Sequence, residues 1–237
     1  MFYFDNEHHP ILHNKLINKE NFALNRFGEG EIRILLDEVN TKDNTVKCIA
    51  PTIIKEWEYD PKTDNYLKQN LHEALFYNKP NYIIATLREG WHLYRKFIDT
   101  HLPTTSKMAT NYFYSDEYYY NFYKIYLPLF LKYESINFLC SEQANYNNVN
   151  IKFNKIWNKF NIFNAWKQID YTQEVLNEIT SMQNSVFIFC IGFNSKIMIK
   201  KAYEINPNNV YYDFGAHLDK KLYDRKTRGK HINDTNY

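Results

Sequence analysis

A chain of 237 residues with 44% hydrophobic and 18% aromatic side chains can bury a substantial core, and reads as one domain over residues 1–237 rather than a disordered polymer. Lys and Arg number 29 against 27 Asp and Glu, a net charge of +2 with no long basic run, so nothing in the charge points to nucleic acid. The first ten residues lack a basic flank followed by an apolar stretch, and no run approaches the roughly 18 apolar residues of a membrane span, so a soluble, cytoplasmic protein is expected.

In chain order, Phe22 to Phe27 reads as a short strand, and Glu31 to Val39 as a helix with Ile32, Leu35 and Leu36 on one face. A strand is expected near Val46 to Ile49. Leu67 to Tyr77 is helical, and Tyr82 to Leu87 is a β-rich run leaving the Lys79-Pro80 turn. A helix over Trp91 to Asp99 follows. Asp116 to Tyr133 is the longest helical candidate, bent or ended by Pro128, which cannot donate a backbone hydrogen bond. Ile136 to Cys140 and Ile162 to Asn164 read as strands, Gln173 to Met182 as a helix, Val186 to Ile191 as a strand, Ser195 to Glu204 as a helix and Val210 to Phe214 as a strand. Strands alternating with helices predict an α/β, Rossmann-like fold: a mainly parallel sheet with helices on both faces. Residues from about 220 to 237 are polar and read as a mobile tail or a lid. Cys48, Cys140 and Cys190 have no metal-like spacing, and the last two close apolar runs, which predicts buried free thiols in a reducing compartment.

There are six glycines, and most fall at strand ends, where open α/β sheets bind ligands and where glycine lets the backbone approach a phosphate. Three segments carry candidate chemistry. In Arg26-Phe27-Gly28-Glu29-Gly30-Glu31, two carboxylates separated by a glycine can both face Mg²⁺ or Mn²⁺ if the loop is extended. The competing explanation is a polar helix start, with both acids favoured by the positive end of the helix. In the second segment a buried strand runs into Gly192, followed by Phe193, Asn194 and Ser195. Asn194 and Ser195 suit helix N-caps, and the helix start is a seat for pyrophosphate or simply a capped helix. In the third, Asp213, Gly215, His217 and Asp219 place titratable groups at a strand terminus, with His217, Asp213 or Asp219 as a candidate general base. Lys226 and Arg228 beyond it offer cations for a leaving diphosphate. Trp91, Tyr112 and Trp166 read as buried aromatics before they read as stacking platforms.

Together these segments resemble the GT-D family of bacterial and viral glycosyltransferases. In that family an N-terminal strand ends in an Arg-Phe-Gly-Asp-Gly-Glu segment whose acids form an Asp-x-Glu metal motif. Arg26, Phe27, Gly28, Gly30 and Glu31 match it, while Glu29 stands where Asp is usual, keeping the charge on a longer arm. Val186 to Ser195 and then Asp213, Gly215 and Asp219 look like the family's C-terminal pattern, and Asn164-Ala165-Trp166 with Asp170 like its Asn-Ala-aromatic segment. Residues 43 to 160 match loosely. The resemblance implies hexosyl transfer from a nucleoside-diphosphate sugar, a UDP-sugar first of all, to a hydroxyl on a glycan or glycosylated acceptor. It also implies Mn²⁺ or Mg²⁺ held by Glu29 and Glu31, and phosphate cradled by Gly192 to Ser195. The rivals are a different nucleotide-dependent enzyme such as a methyltransferase or dehydrogenase, disfavoured because no Gly-x-Gly-x-x-Gly follows a strand, and an inert binding or structural module.

Overall fold

The structure, a computed structural model, describes residues 5–35, 59, 63–86, 107–109, 122–161 and 163–223. Seven strands form one sheet in the order β3-β2-β1-β7-β6-β4-β5, where β1 is Ala23–Phe27, β2 Tyr82–Thr86, β3 Lys107–Ala109, β4 Ser135–Ser141, β5 Lys155–Phe160, β6 Ser185–Cys190 and β7 Val210–Asp213. Every pairing is parallel. A parallel sheet needs cover on both faces, and the strand sequences comply: β1, β2, β6 and β7 are buried at every position.

The side chains alternate between two cores. Phe27, Ile84, Phe187, Phe189 and Tyr211 point to one face, and Leu24, Ile83, Val186, Ile188 and Tyr212 to the other. Among the described residues the first face is covered chiefly by α3 (Asn65–Leu75), α5 (Ile169–Ser181) and α6 (Phe193–Ile205). Each presents an apolar stripe at helical spacing, as with Leu67, Leu71, Ala74 and Leu75 in α3 and Thr172, Val175, Leu176 and Ile179 in α5. Each fully buried Leu or Ile on such a stripe contributes about 1.5–3 kcal/mol relative to exposure. The second face is covered by α1 (Asp5–Ile17) through Leu12 and Leu16, by α4 (Leu127–Phe130) with the π-helical turn Phe122–Tyr126 before it, and by α7 (Asp219–Tyr223) through Leu222. The short helix α2 (Glu29–Leu35) returns to the first face through Ile32, Ile34 and Leu35.

The sequence-based strands and helices therefore hold, with differences. The strand expected at Ile162 to Asn164 lies instead at Lys155–Phe160, on the sheet edge, and Phe163–Asn164 is a turn. Its alternation of Lys, Asn and apolar residues suits a strand with one open side. Of the helix expected over Asp116 to Tyr133, the described part is helical from Phe122 to Phe130, a π-helical turn passing into α4 beside Pro128 and ending two residues after it, while residues 116–121 lie outside the described residues. Helix α1 and the three-residue edge strand β3 were not anticipated. The elements expected at Val46 to Ile49 and Trp91 to Asp99 lie outside the described residues. Cys140 and Cys190 are buried free thiols, side by side on β4 and β6.

Candidate functional site

The segment after β1 turns to the first face of the sheet and that after β7 to the second, since Ile32 and Leu35 join one core and Leu218 and Leu222 the other. β1 and β7 are neighbours. Divergence of adjacent connections at the carboxyl ends of a parallel sheet is where ligands bind in open α/β folds.

Four charged side chains meet there. Asp213 ends β7 and is fully buried. Its Oδ1 accepts the Gly215 N–H at 3.0 Å, and its Oδ2 accepts the Arg26 backbone N–H at 3.2 Å and the Lys196 ammonium at 2.7 Å. Glu31 is the second acid. Its Oε1 lies 3.3 Å from Lys196 Nζ, and its Oε2 accepts the Gly28 N–H at 2.8 Å. Gly28 is the N-cap of α2, its carbonyl accepting the first helical bond from Ile32, so Glu31 reaches back from the third helical position in the manner of a capping box. Arg26, 3% exposed, donates through Nη1 to the Phe214 carbonyl at 2.8 Å. The two cations balance the two carboxylates, and the quartet is formally neutral.

Lys196 joins the acids. Burial pulls its pKa down, but the Asp213 and Glu31 carboxylates and the hydrogen bond to Asp213 outweigh burial and the nearby Arg26 charge, leaving the ammonium above its ordinary value. It stays charged throughout the neutral range.

The glycines have distinct tasks. Gly215 has φ +57°, and a Cβ there would lie 3.0 Å from Arg26 Nη1, so the guanidinium packs where only glycine fits. Gly192 has φ 60° and ψ −138°, a region open essentially to glycine, and starts α6. Asn194 and Ser195 are not N-caps: Gly192 takes that position, and both side chains lie inside the first turn, 1% exposed. Asn194 donates to Thr172 Oγ1 at 3.0 Å and Ser195 Oγ accepts the Ile191 N–H at 3.2 Å. A phosphate at this turn would meet backbone N–H groups rather than these side chains.

Glu29 and Glu31 both lie in helix α2, so the backbone between them is helical rather than the extended loop expected. Among the described residues each Glu31 oxygen has one protein partner and retains a second acceptor position, whereas Asp213 is closed to solvent. Among the described residues no three His, Cys, Asp or Glu side chains gather as a metal site; the Glu29 side chain lies outside them. Gly30 is the second residue of α2. Asp219 begins α7 and its charge adds to burial in raising the Cys190 thiol, while His217 lies on the 3₁₀ turn Gly215–Leu218 with its side chain outside the described set. Lys226 and Arg228 also lie outside it. The sequence thus brings Arg26, Glu31, Asp213 and Gly215 together, and the residue it did not single out is Lys196. The signal was present in the sequence as the one charged residue in the run Phe193 to Ile199, all of which is buried.

No protein-family model and no curated protein matches the chain. It is similar in structure to two solved chains of domain of unknown function 1792, one selenomethionine-substituted and one described as having a distinct glycosyltransferase fold. Each aligns with a TM-score of 0.60 at 12% identity, over 98% of this chain and 91% of the other. The chain therefore has the fold described for that domain, in agreement with the GT-D resemblance of its sequence. Among the described residues no helix is long and apolar enough to cross a membrane.

Proposed function

We propose that the protein is a glycosyltransferase that moves a hexosyl group from a nucleoside-diphosphate sugar, a UDP-sugar first of all, to a hydroxyl of a glycan or glycosylated acceptor. The observation that carries this is the meeting of Arg26, Glu31, Lys196 and Asp213 where the β1 and β7 connections diverge, on a fold described elsewhere as a glycosyltransferase fold.

The diphosphate leaving group brings negative charge to a quartet whose own charges cancel. Additional positive charge has to come from outside it. Glu31, and Glu29 if it reaches the same ion from the helix, would hold Mn²⁺ or Mg²⁺, which would supply Lewis-acid neutralisation of that leaving group. Lys226 and Arg228 are the cations of this chain in reach by sequence. The backbone at Gly192 to Ser195 would contribute N–H donors at the start of α6. Transfer breaks the donor's anomeric C–O bond and forms another to the acceptor oxygen, whose proton needs a base. Asp213 is sealed and bonded to three donors, so Asp219 and His217 are the better candidates.

The test is hydrolysis and transfer from a panel of sugar nucleotides, with and without Mn²⁺, by the wild type and Glu31→Ala. Metal-stimulated turnover of one donor, reduced at least about a hundredfold in the variant, is expected for loss of an electrostatic group at the reacting diphosphate. Wild-type turnover retained in Glu31→Ala removes Glu31 from the site, and no turnover of any donor favours an inert module.

A further inference from the structure

Lys196 occupies an unusual position for a lysine. Its ammonium, with the side chain 6% exposed, lies 3.3 Å from Glu31 Oε1 and 2.7 Å from Asp213 Oδ2, which puts those two oxygens within about 6 Å of each other. Asp213 is fully closed to solvent and the Glu31 side chain is 11% exposed. Two carboxylates this close and this poorly hydrated repel each other strongly unless a cation lies between them. The ammonium is delivered by rigid backbone: the Lys196 carbonyl accepts Asn25 Nδ2 at 3.0 Å, Asn25 Nδ2 also donates to the Tyr82 hydroxyl at 2.7 Å, and Ser195 fixes the turn before it. Arg26, beside it, donates through Nη1 to the Phe214 carbonyl.

We propose that Lys196 is a positioning residue that takes the place of a divalent cation between Glu31 and Asp213, and that metal therefore enters only together with a diphosphate, on the outward side of Glu31. The second clause rests on the nucleotide-sugar reading; the first does not. One fixed charge from α6 holds Glu31 oriented before any donor arrives, and keeps free metal out of the gap behind it. Removing the ammonium leaves two buried acids facing each other across a gap without their counter-charge, a gap that a cation can enter.

Thermal unfolding near neutral pH tests for that entry. MnCl₂ alone is expected to leave the wild-type Tm unmoved, and MnCl₂ with UDP to raise it. Lys196→Met should lower the Tm by about 6–20 °C, as for a broken buried ion pair in a chain of this size. Mn²⁺ alone should then return about 5 °C or more, because a ligand that binds only the folded state stabilises it. Lys196→Arg, which restores the charge, should keep the wild-type indifference to free metal. A Tm shift with MnCl₂ alone that is equal in wild type and Lys196→Met, or no rescue of Lys196→Met by MnCl₂, overturns the assignment. Rescue without any response of the wild type to UDP and MnCl₂ supports Lys196 and rejects the nucleotide-sugar reading. If Lys196→Met fails to fold, electron paramagnetic resonance of Mn²⁺ with nucleotide-free protein decides. No bound ion in the wild type supports the proposal, and a bound ion that is lost in Glu31→Gln overturns it.

Discussion

Gly215→Ala perturbs the contact that locks the two strand ends of the site. Alanine at φ +57° carries the left-handed penalty, about 1–2 kcal/mol. Its Cβ would also stand 3.0 Å from Arg26 Nη1 and 3.3 Å from Cζ and Nη2, closer than a settled contact, so the guanidinium must give way by a few tenths of an ångström. Arg26 is buried and Nη1 donates to the Phe214 carbonyl at 2.8 Å, so that movement stretches a charge-assisted bond rather than sweeping a free side chain through water. Such bonds contribute about 1.5–3 kcal/mol, of which a partial displacement forfeits about 1 kcal/mol. The expected loss is about 2–3 kcal/mol, a fall in Tm of about 4–12 °C for a chain of this length. Urea unfolding followed by circular dichroism measures it, and a double-mutant cycle with Arg26→Ala isolates the contact. With the guanidinium gone, only the backbone penalty remains, so a coupling of about 1 kcal/mol is expected, above the roughly 0.3–0.5 kcal/mol within which independent sites add. Strict additivity refutes the proposed packing of Arg26 against Gly215.

Four further outcomes follow from the same geometry. Tyr82→Phe removes a fully buried hydroxyl that accepts Asn25 Nδ2 and donates to the Ala74 carbonyl, and should cost about 1–2 kcal/mol in urea unfolding. Asn194→Ala should cost a similar 1–2 kcal/mol, roughly, through the Thr172 hydroxyl left behind, with donor turnover unchanged once the protein is folded, since the side chain faces inward. Burial pushes the Cys140 thiol up to about 12 from an ordinary value of 9.0, so between those pH values the unfolded chain releases a proton that the folded chain keeps. The unfolded state then binds fewer protons, and stability contributed at this residue falls by about 1.4 kcal/mol per pH unit over that window. Cys140→Ala should show a shallower alkaline decline than the wild type. At pH 8, iodoacetamide mapped by mass spectrometry should leave Cys140 and Cys190 unmodified until the protein is unfolded.

The central strands were legible because burial on both faces writes them as continuous apolar runs: Val186 to Ile191 and Val210 to Phe214 could be little else. Edge strands were not, since β5 alternates Lys, Ile, Trp, Asn, Lys and Phe, and half its positions answer to water instead of a core. Helix α1 escaped for a related reason, with Leu12 and Leu16 as its sparse anchors in a polar sequence. At the site, spacing identified Glu31, Asp213 and Gly215, because glycines and acids at strand ends are a local signal. That Glu31 would cap its own helix, and that a helical lysine from 165 residues further on would reach it, depends on how β1, β7 and α6 come together. No local pattern contains that. Asn194 and Ser195 were read as N-caps because sequence cannot tell that Gly192 takes the cap and starts the helix two residues earlier, which places both inside the first turn.

The most direct test is calorimetric titration of UDP into the protein with Mn²⁺ present, repeated with Glu31→Ala, with NAD and with S-adenosylmethionine. A bound UDP whose affinity falls by at least about tenfold, about 1.4 kcal/mol, in the variant is the predicted result, with no heat from the other two cofactors. UDP that does not bind, or binds Glu31→Ala as tightly as the wild type, contradicts the assignment of this strand-end cluster to a nucleotide-sugar.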